Sequence, residues 1–129
     1  MQQLGNIAAV AIGGAVGSIG RYGIAVLAAR LSQMNFPLGT LLANIGGCMV
    51  IGLCWSYFDK VQISHEFRLF LFTGILGGFT TFSTYARESV QLFKAGEIVN
   101  ALSYIFISNI TGLAMVAIGF LIGERLLRF

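Results

Sequence analysis

The sequence predicts an all-α membrane protein of four transmembrane helices, with the third helix broken near its middle. Of the 129 residues, 57% are hydrophobic and only 10% are charged, which is far from the balance of soluble domains. Four stretches of about 20 mostly apolar residues, the length that crosses a bilayer core, follow one another with short polar breaks. The third stretch contains LGGFTTFSTY, in which two glycines and four hydroxyl residues interrupt the apolar run.

The first two spans are predicted at residues 4–31 and 38–58, separated by the loop SQMNFP. Because no Lys or Arg precedes Arg21, the first span lacks the basic start of a cleavable signal peptide, and we expect it to be retained. Cys48 and Cys54 lie six residues apart on different faces of the second span, so they are not expected to pair within that helix.

The third and fourth spans are predicted at residues 67–94 and 98–122. The charged connector DKVQISHEFR precedes the third span, and a tight turn at residues 95–97 separates it from the fourth. The sequence contains no linker, low-complexity tract or repeat that indicates a second domain. We therefore expect residues 1–129 to form a single integral membrane domain.

Glycines with the spacing G-x-x-x-G occur in three of the spans. The pairs are Gly13 and Gly17, Gly74 and Gly78, and Gly119 and Gly123. This spacing lets helices approach closely in lipid. Some matches are expected by chance among 17 glycines, but together the three pairs predict tight helix packing.

The basic residues do not select one orientation in the membrane. Those on the side of the termini are Lys60, Arg68, Arg125 and Arg128, and those nearer the other side are Arg21, Arg30, Arg87 and Lys94. Such a weak bias is expected of a protein that inserts both ways and pairs as a symmetric antiparallel homodimer. The alternative is a protein oriented by features other than charge. Four helices are too few to enclose a wide aqueous path, so a transport role favours an oligomer.

The middle of the third span favours a helix break near residues 77–81. Gly77 and Gly78 are poor helix formers, and the hydroxyls of Thr80 and Thr81 can bond to freed backbone groups. Irregular backbone at membrane depth survives only inside protein or beside a cavity. The two half-helix ends created by a break can bind a cation and an anion, respectively. The alternative is an unbroken helix on which the glycines form a packing face.

Aromatic and amide groups near the break are candidates for contact with an ion. Phe82 and Tyr85 are three residues apart and share a helix face. Such pairs usually serve packing, but ring edges carry partial positive charge and can face an anion. The amide of Asn44 can donate hydrogen bonds to an anion or tie two helices together.

Other polar residues in the spans leave their roles open. Tyr104, Ser108 and Thr111 form a stripe of hydroxyls on the fourth span, which could line a path or join helices. Arg21 could attract anions or extend to the headgroups. Glu88 could serve as the partner of a cation or as a solvated acid.

Three segments together resemble the Fluc (CrcB) family of fluoride channels. They are GTLLANIGG around Asn44, GGFTTFST in the third span and GSIGRY around Arg21, within a four-span chain of 129 residues. The resemblance covers essentially the whole chain. It implies an antiparallel, dual-topology homodimer in the inner (plasma) membrane, with two pores that export fluoride passively and protect the cell from its toxicity.

The resemblance also implies roles for individual residues. The carbonyls of Gly77 and Thr80 from both subunits would hold a structural sodium ion at the dimer centre. The ring edges of Phe82 and Tyr85 would face fluoride. The remaining family positions are Asn44 at the pore, Ser83, Thr84, Tyr104 and Ser108 as candidates for a polar track, and Arg21 in a vestibule. The chain departs from the family pattern at Tyr85, where phenylalanine is usual, and at Ala86 and Arg87.

Neutral donors suit the transport of fluoride. Fluoride is small and strongly hydrated, so hydroxyls and amides must replace its water, and binding must stay weak enough for escape. No lysine lies deep inside a span. The expected partners are fluoride, a second copy of the chain and the lipid bilayer, with no nucleic acid.

Other protein classes fit the sequence less well. A four-span multidrug antiporter carries a carboxylate in its first span, and this chain has neither Asp nor Glu there. A non-transporting assembly subunit would use its polar residues only to join helices. An enzyme is not expected, because the single histidine, His65, lies in a connector without an arranged nucleophile.

Overall fold

The computed structural model describes residues 1–126, so Arg128, one of the basic residues sorted above, lies outside the described residues. The helices are α1 (Gln2–Leu31), α2 (Leu38–Phe58), α3 (residues 65–79), α4 (Phe82–Lys94) and α5 (Ile98–Leu126). No β-strand occurs within residues 1–126. The prediction of an all-α protein is confirmed.

The four predicted spans are also confirmed. The helices α1, α2 and α5, and α3 with α4 taken together, are each long and apolar enough to cross a membrane. The helix α1 begins two residues before the predicted start at residue 4, and α5 continues four residues beyond residue 122. Both extensions carry polar residues, which can reach water or headgroups from a helix end.

The helix α3 changes its winding along its length. It starts as the α-helix His65–Arg68, capped by the Ser64 hydroxyl, which accepts a hydrogen bond from the Phe67 N–H at 3.1 Å. It continues as the π-helix Leu69–Leu76 and ends with the α-helical turn Gly77–Phe79. A π-helix has wider turns, with bonds between residues five apart, and often occurs near functional sites.

The helices α1 and α3 pack along a seam of glycines. A Cβ atom added to Gly74 would lie 2.8 Å from the Cα atom of Gly13, and one added to Gly78 would lie 2.7 Å from the carbonyl oxygen of Gly14. A Cβ atom at Gly17 would overlap the carbonyl oxygen of Ile75. Backbone therefore meets backbone along this seam, and any side chain would force the helices apart.

A second glycine seam joins α2 to α5, which pack along much of their length. The close approaches are Gly52 on Val116, Gly119 on Met49 and Gly123 on Ser56. The rings of Trp55 and Phe120 pack beside this seam with centroids 4.7 Å apart. All three predicted G-x-x-x-G pairs thus lie at helix contacts, which confirms the predicted tight packing.

The connection between α4 and α5 is a tight turn at residues 95–97. Gly96 adopts a φ of 77°, a left-handed conformation that glycine accepts without steric cost. The N–H groups of Gly96 and Glu97 donate to the carbonyls of Phe93 and Leu92 at 3.1 and 2.9 Å. The turn closes the end of α4 and returns the chain directly into the fourth span.

Candidate ion-binding site at the helix break

The third span is broken at Thr80 and Thr81. Both residues are extended, with φ and ψ of −91° and 157° for Thr80 and −152° and 123° for Thr81. The helix break predicted near residues 77–81 is confirmed, and the unbroken helix is excluded. Two of the three glycines still form the packing face that the alternative predicted. Gly74 and Gly78 pack on α1, whereas Gly77 is exposed.

Thr80 closes the end of α3. Its N–H and its hydroxyl both donate to the carbonyl oxygen of Leu76, at 3.0 and 2.9 Å. Its methyl group packs on α2 at Gly47, where an added Cβ atom would overlap it. The threonine therefore satisfies a backbone acceptor of α3 and joins the break to the neighbouring helix.

The side chain of Asn44 holds the other residue of the break by two hydrogen bonds. Its Oδ1 atom accepts from the Thr81 N–H at 2.8 Å, and its Nδ2 atom donates to the Thr81 carbonyl oxygen at 3.0 Å. One amide thus pairs both backbone groups of a residue that has left the helix, as the apolar surroundings require. Of the two roles that the sequence left open for Asn44, the structure shows the tie between helices, and one Nδ2 hydrogen remains.

Thr81 also caps α4. Its Oγ1 atom accepts from the Thr84 N–H at 3.2 Å and donates to the Thr84 hydroxyl at 3.1 Å. The hydroxyl of Ser83 lies 3.4 Å from the same oxygen. The first amides of a helix have no helical carbonyl to bond, so the N–H groups of Phe82 and Ser83 form a site of partial positive charge at the break.

The break leaves the four carbonyls of residues 77–80 without the N–H groups that a continuous helix would supply, and two of these N–H groups bond to side chains instead. In a continuous helix the N–H of Thr81 would bond to the carbonyl of Gly77, and the N–H of Thr84 to that of Thr80. Here both N–H groups bond to side chains instead, to Asn44 and to Thr81. Within residues 1–126 no other N–H replaces them.

Two of the released carbonyls belong to Gly77 and Thr80, the residues that the resemblance assigns to sodium. Of the other two, the carbonyl of Gly78 accepts from Arg21, and within residues 1–126 that of Phe79 has no N–H partner. A free carbonyl oxygen at the C-terminal end of a half-helix favours a cation. The part of the chain that the structure describes has no cluster of three His, Cys, Asp or Glu side chains that could hold a metal. The donor chemistry available at the break is therefore that of neutral backbone oxygens.

Arg21 also approaches the C-terminal end of α3. Its Nε atom donates to the carbonyl oxygen of Gly78 at 3.1 Å. The guanidinium is half-buried and places a positive charge beside the negative end of the half-helix. The predicted vestibule role of Arg21 stays a prediction.

A groove of about 360 Å³ opens beside the break, between α2, α3, α4 and α5. The predicted site residues that line it are Asn44, Gly77, Thr80, Phe82, Tyr85 and Ser108. Those that do not line it are Ser83, Thr84, Tyr104 and Arg21. The ring of Phe82 is 79% exposed, so this groove is open to the outside of a single copy.

Neutral hydrogen-bonding groups of α5 face the groove. Ser108 has a buried Oγ atom that bonds to nothing in residues 1–126. Asn109 also lines the groove, and its Nδ2 atom donates to the Tyr85 hydroxyl oxygen at 2.9 Å. The sequence analysis does not predict a role for Asn109, which lies beside the stripe of hydroxyls. The available signal is Tyr85, because a tyrosine hydroxyl inside a span usually needs a hydrogen-bond partner.

Glu88 is bound between two other helices. Its Oε1 atom accepts from the Thr40 hydroxyl at 2.9 Å, and its Oε2 atom accepts from the Tyr104 hydroxyl at 2.8 Å. Tyr104 is completely buried. Glu88 also lines two cavities of about 350 and 410 Å³ beneath the α1–α2 connection. The open question about Glu88 is thus answered structurally: it joins α2, α4 and α5.

Aromatic rings form a row from the break to the α1–α2 connection. The centroids of Phe82 and Tyr85 are 5.6 Å apart, which confirms that the two rings share a helix face. Tyr85 and Tyr104 follow at 5.3 Å, and Tyr104 and Phe36 at 5.5 Å with their rings edge to face. The row connects the groove with the region of Glu88.

Comparisons with known proteins agree with this architecture. Residues 8–120 match the family model described as "CrcB-like protein, Camphor Resistance (CrcB)". The chain is 53% identical over 127 residues to a fluoride-specific ion channel FluC of Desulfotalea psychrophila, covering 98% of both chains. It is 45% identical to the FluC of Agrobacterium fabrum, covering 94% of this chain and 98% of that one.

A third relative, the FluC of Aquifex aeolicus, is 39% identical over 124 residues, covering 95% of this chain and all of the other. These relatives are named as ion channels and not as enzymes. The family model spans most of the chain, and the relatives match nearly its whole length. The chain is therefore a multi-pass membrane protein that belongs to the CrcB family.

Proposed function

We propose that this protein is a fluoride-selective channel that exports fluoride passively and protects the cell from it. The observation that carries the proposal is the 53% identity, over 98% of both chains, to a relative named as a fluoride-specific ion channel. The groove at the helix break supplies neutral groups that suit this ion.

The groove offers fluoride donors without a full positive charge. Asn44 contributes an amide and Ser108 an unpartnered hydroxyl, and the rings of Phe82 and Tyr85 lie beside them. Among the described residues, no charged side chain lines the groove. Fluoride can exchange its water for these donors and still leave, which conduction requires. Ser83, Thr84 and Tyr104 extend the polar track outside the groove, and Arg21 serves as the vestibule arginine.

A second copy of the chain completes the pathway. The groove is open on one side, and both Phe82 and Gly77 are exposed there, although they lie at the middle of a span. The weak charge bias supports an antiparallel pair, which has two equivalent grooves and hence two pores. In the inner membrane, the interior-negative potential drives an anion outward with about 2.3 kcal/mol per 100 mV.

A structural sodium ion at the centre of this dimer fits two of the carbonyls that the break releases. The carbonyls of Gly77 and Thr80, from both copies, would hold it, because Asn44 and Thr81 occupy the N–H groups that would otherwise pair with them. The cation would offset the partial negative charge at the ends of the two α3 half-helices. The chain's own residues thus leave acceptors for a cation and donors for an anion at the same break.

Fluoride efflux from liposomes that contain the purified protein tests the proposal. We expect rapid fluoride loss and little chloride loss. Asn44→Ala and Phe82→Ala should each slow fluoride loss at least about tenfold, whereas Leu4→Ala, a change at a 72% exposed residue at the start of α1, should not. Absence of fluoride efflux from well-folded wild-type protein would falsify the channel function.

A further inference from the structure

The hydroxyl group of Tyr85 is held by a single side chain of the neighbouring helix. The Asn109 Nδ2 atom lies 2.9 Å from the Tyr85 oxygen and 2.8 Å from the carbonyl oxygen of Ile105. A carbonyl oxygen only accepts hydrogen bonds, so the atom that faces it must be the amide nitrogen. Both hydrogens of that nitrogen are therefore used, one of them on the Tyr85 hydroxyl.

This arrangement determines what the Tyr85 hydroxyl can offer. Its oxygen accepts from Asn109, so its own hydrogen is not used in that contact. Within residues 1–126 no other group accepts this hydrogen. Tyr85 and Asn109 both line the groove beside the break, so the O–H group is available to a small acceptor in that groove.

The surroundings of this hydroxyl favour an anionic acceptor. The neighbouring Ser108 contributes a second hydroxyl without a partner, and Phe82 places its ring next to that of Tyr85. The described lining of the groove contains no carboxylate that would repel an anion. Two hydroxyl residues on adjacent helices thus line the same groove.

We propose that Asn109 is a positioning residue that makes the Tyr85 hydroxyl a direct hydrogen-bond donor to the conducted anion. This inference rests on the proposed fluoride channel and adds a specific role to it. A phenylalanine at position 85 would offer only its ring edge. Asn109 occupies an acceptor position of the hydroxyl oxygen, which orients the remaining O–H group for donation.

A double-mutant cycle on fluoride efflux tests the inference. Initial rates are measured in liposomes over a series of fluoride concentrations for wild type, Tyr85→Phe, Asn109→Leu and the double variant. We expect each single change to raise the half-saturating fluoride concentration about three- to tenfold, the size expected for one neutral hydrogen bond. The double variant should resemble Tyr85→Phe, because Asn109 acts only through the hydroxyl.

A matched control on the same helix is Thr111→Val. The Thr111 hydroxyl bonds to the carbonyl of Ile107 within α5 and does not line the groove, so the change should leave the concentration dependence as in wild type. Elution as a single assembled species is required of every variant. If Asn109→Leu fails to assemble, Asn109→Ala replaces it in the cycle.

Each result separates the inference from the proposed function. If wild type and Tyr85→Phe conduct fluoride with the same concentration dependence, the inference is wrong and the channel function stands. The inference is also wrong if Asn109→Leu has the same effect in both backgrounds, since that indicates a purely structural role. Wild-type protein that does not conduct fluoride overturns both.

Discussion

The glycine seams and the helix break are built on opposite principles. Along the α1–α3 and α2–α5 seams, glycines let backbone approach backbone, except at Gly123, which meets the side chain of Ser56. At the break, side chains replace the backbone's own partners: Asn44 pairs with Thr81, and Thr81 caps α4. The seams are close contacts, whereas the break is polar and borders a groove of about 360 Å³.

This difference shows how a small membrane protein can hold an irregular segment. Every unpaired backbone group in lipid is costly, so a break is stable only where other groups supply the missing hydrogen bonds. The seams bring α2 and α5 close together, and α1 and α3 likewise. The side chains at the break then lie within hydrogen-bonding distance of their partners.

Filling a seam should have the largest effect. A Cβ atom at Gly17 would overlap the Ile75 carbonyl oxygen and lie 2.8 Å from the Phe79 nitrogen, so Gly17→Val must displace α3. We expect the free energy of unfolding to fall by about 3 kcal/mol or more. The change can be followed by thermal unfolding in detergent.

The matched control is Gly23→Val on the same helix, where an added Cβ atom would meet nothing within 4 Å. It should unfold close to the wild-type temperature. If the two valine variants prove equally stable, the seam is not the close contact described above.

Removing the acceptor between helices should have an intermediate effect. Glu88→Leu leaves the hydroxyls of Thr40 and Tyr104 without their partner, and the latter residue is fully buried. We expect a loss of about 2 kcal/mol in the free energy of unfolding. Glu88→Gln retains a carbonyl acceptor and should lose less than about 1 kcal/mol. Equal losses would mean that the carboxylate's charge, and not its hydrogen bonds, stabilises this junction.

The cap of α4 should contribute least. Thr81→Ala removes the oxygen that accepts from the Thr84 N–H, and loss of such a cap costs about 1 kcal/mol. Thr81→Ser keeps the oxygen and should remain near wild type. Unfolding of both variants in the same detergent gives the comparison. A loss of equal size in both would attribute the effect to the threonine methyl group and not to the cap.

The sequence was sufficient for the spans and for the position of the break, because both follow from local composition. Apolar runs of bilayer length locate helices, and GGFTT combines weak helix formers with hydroxyls. The π-helix Leu69–Leu76 could not be predicted. Apart from Gly74, the run LFLFTGIL consists of residues that are common in an ordinary membrane helix, and a single glycine does not indicate a π-helix. The π-helical winding accompanies the contact of Gly74 with α1.

The sequence predicts which residue types belong to the site better than it predicts the contacts between them. Asn44 was recognised as a polar residue with two open roles, but its pairing with Thr81 spans 37 positions of the chain. Glu88 and its partners Thr40 and Tyr104 lie on three different spans, so no spacing rule connects them. Asn109 meets Tyr85 only because α4 and α5 are adjacent in space.

The two hydrogen bonds between Asn44 and Thr81 lie within one chain. A single copy therefore has every partner that its helix break needs at Thr81, without a contribution from a second copy. In the proposed assembly, dimer formation then requires only the association of two folded copies. The rate at which functional dimers form would depend on the concentration of the protein in the membrane.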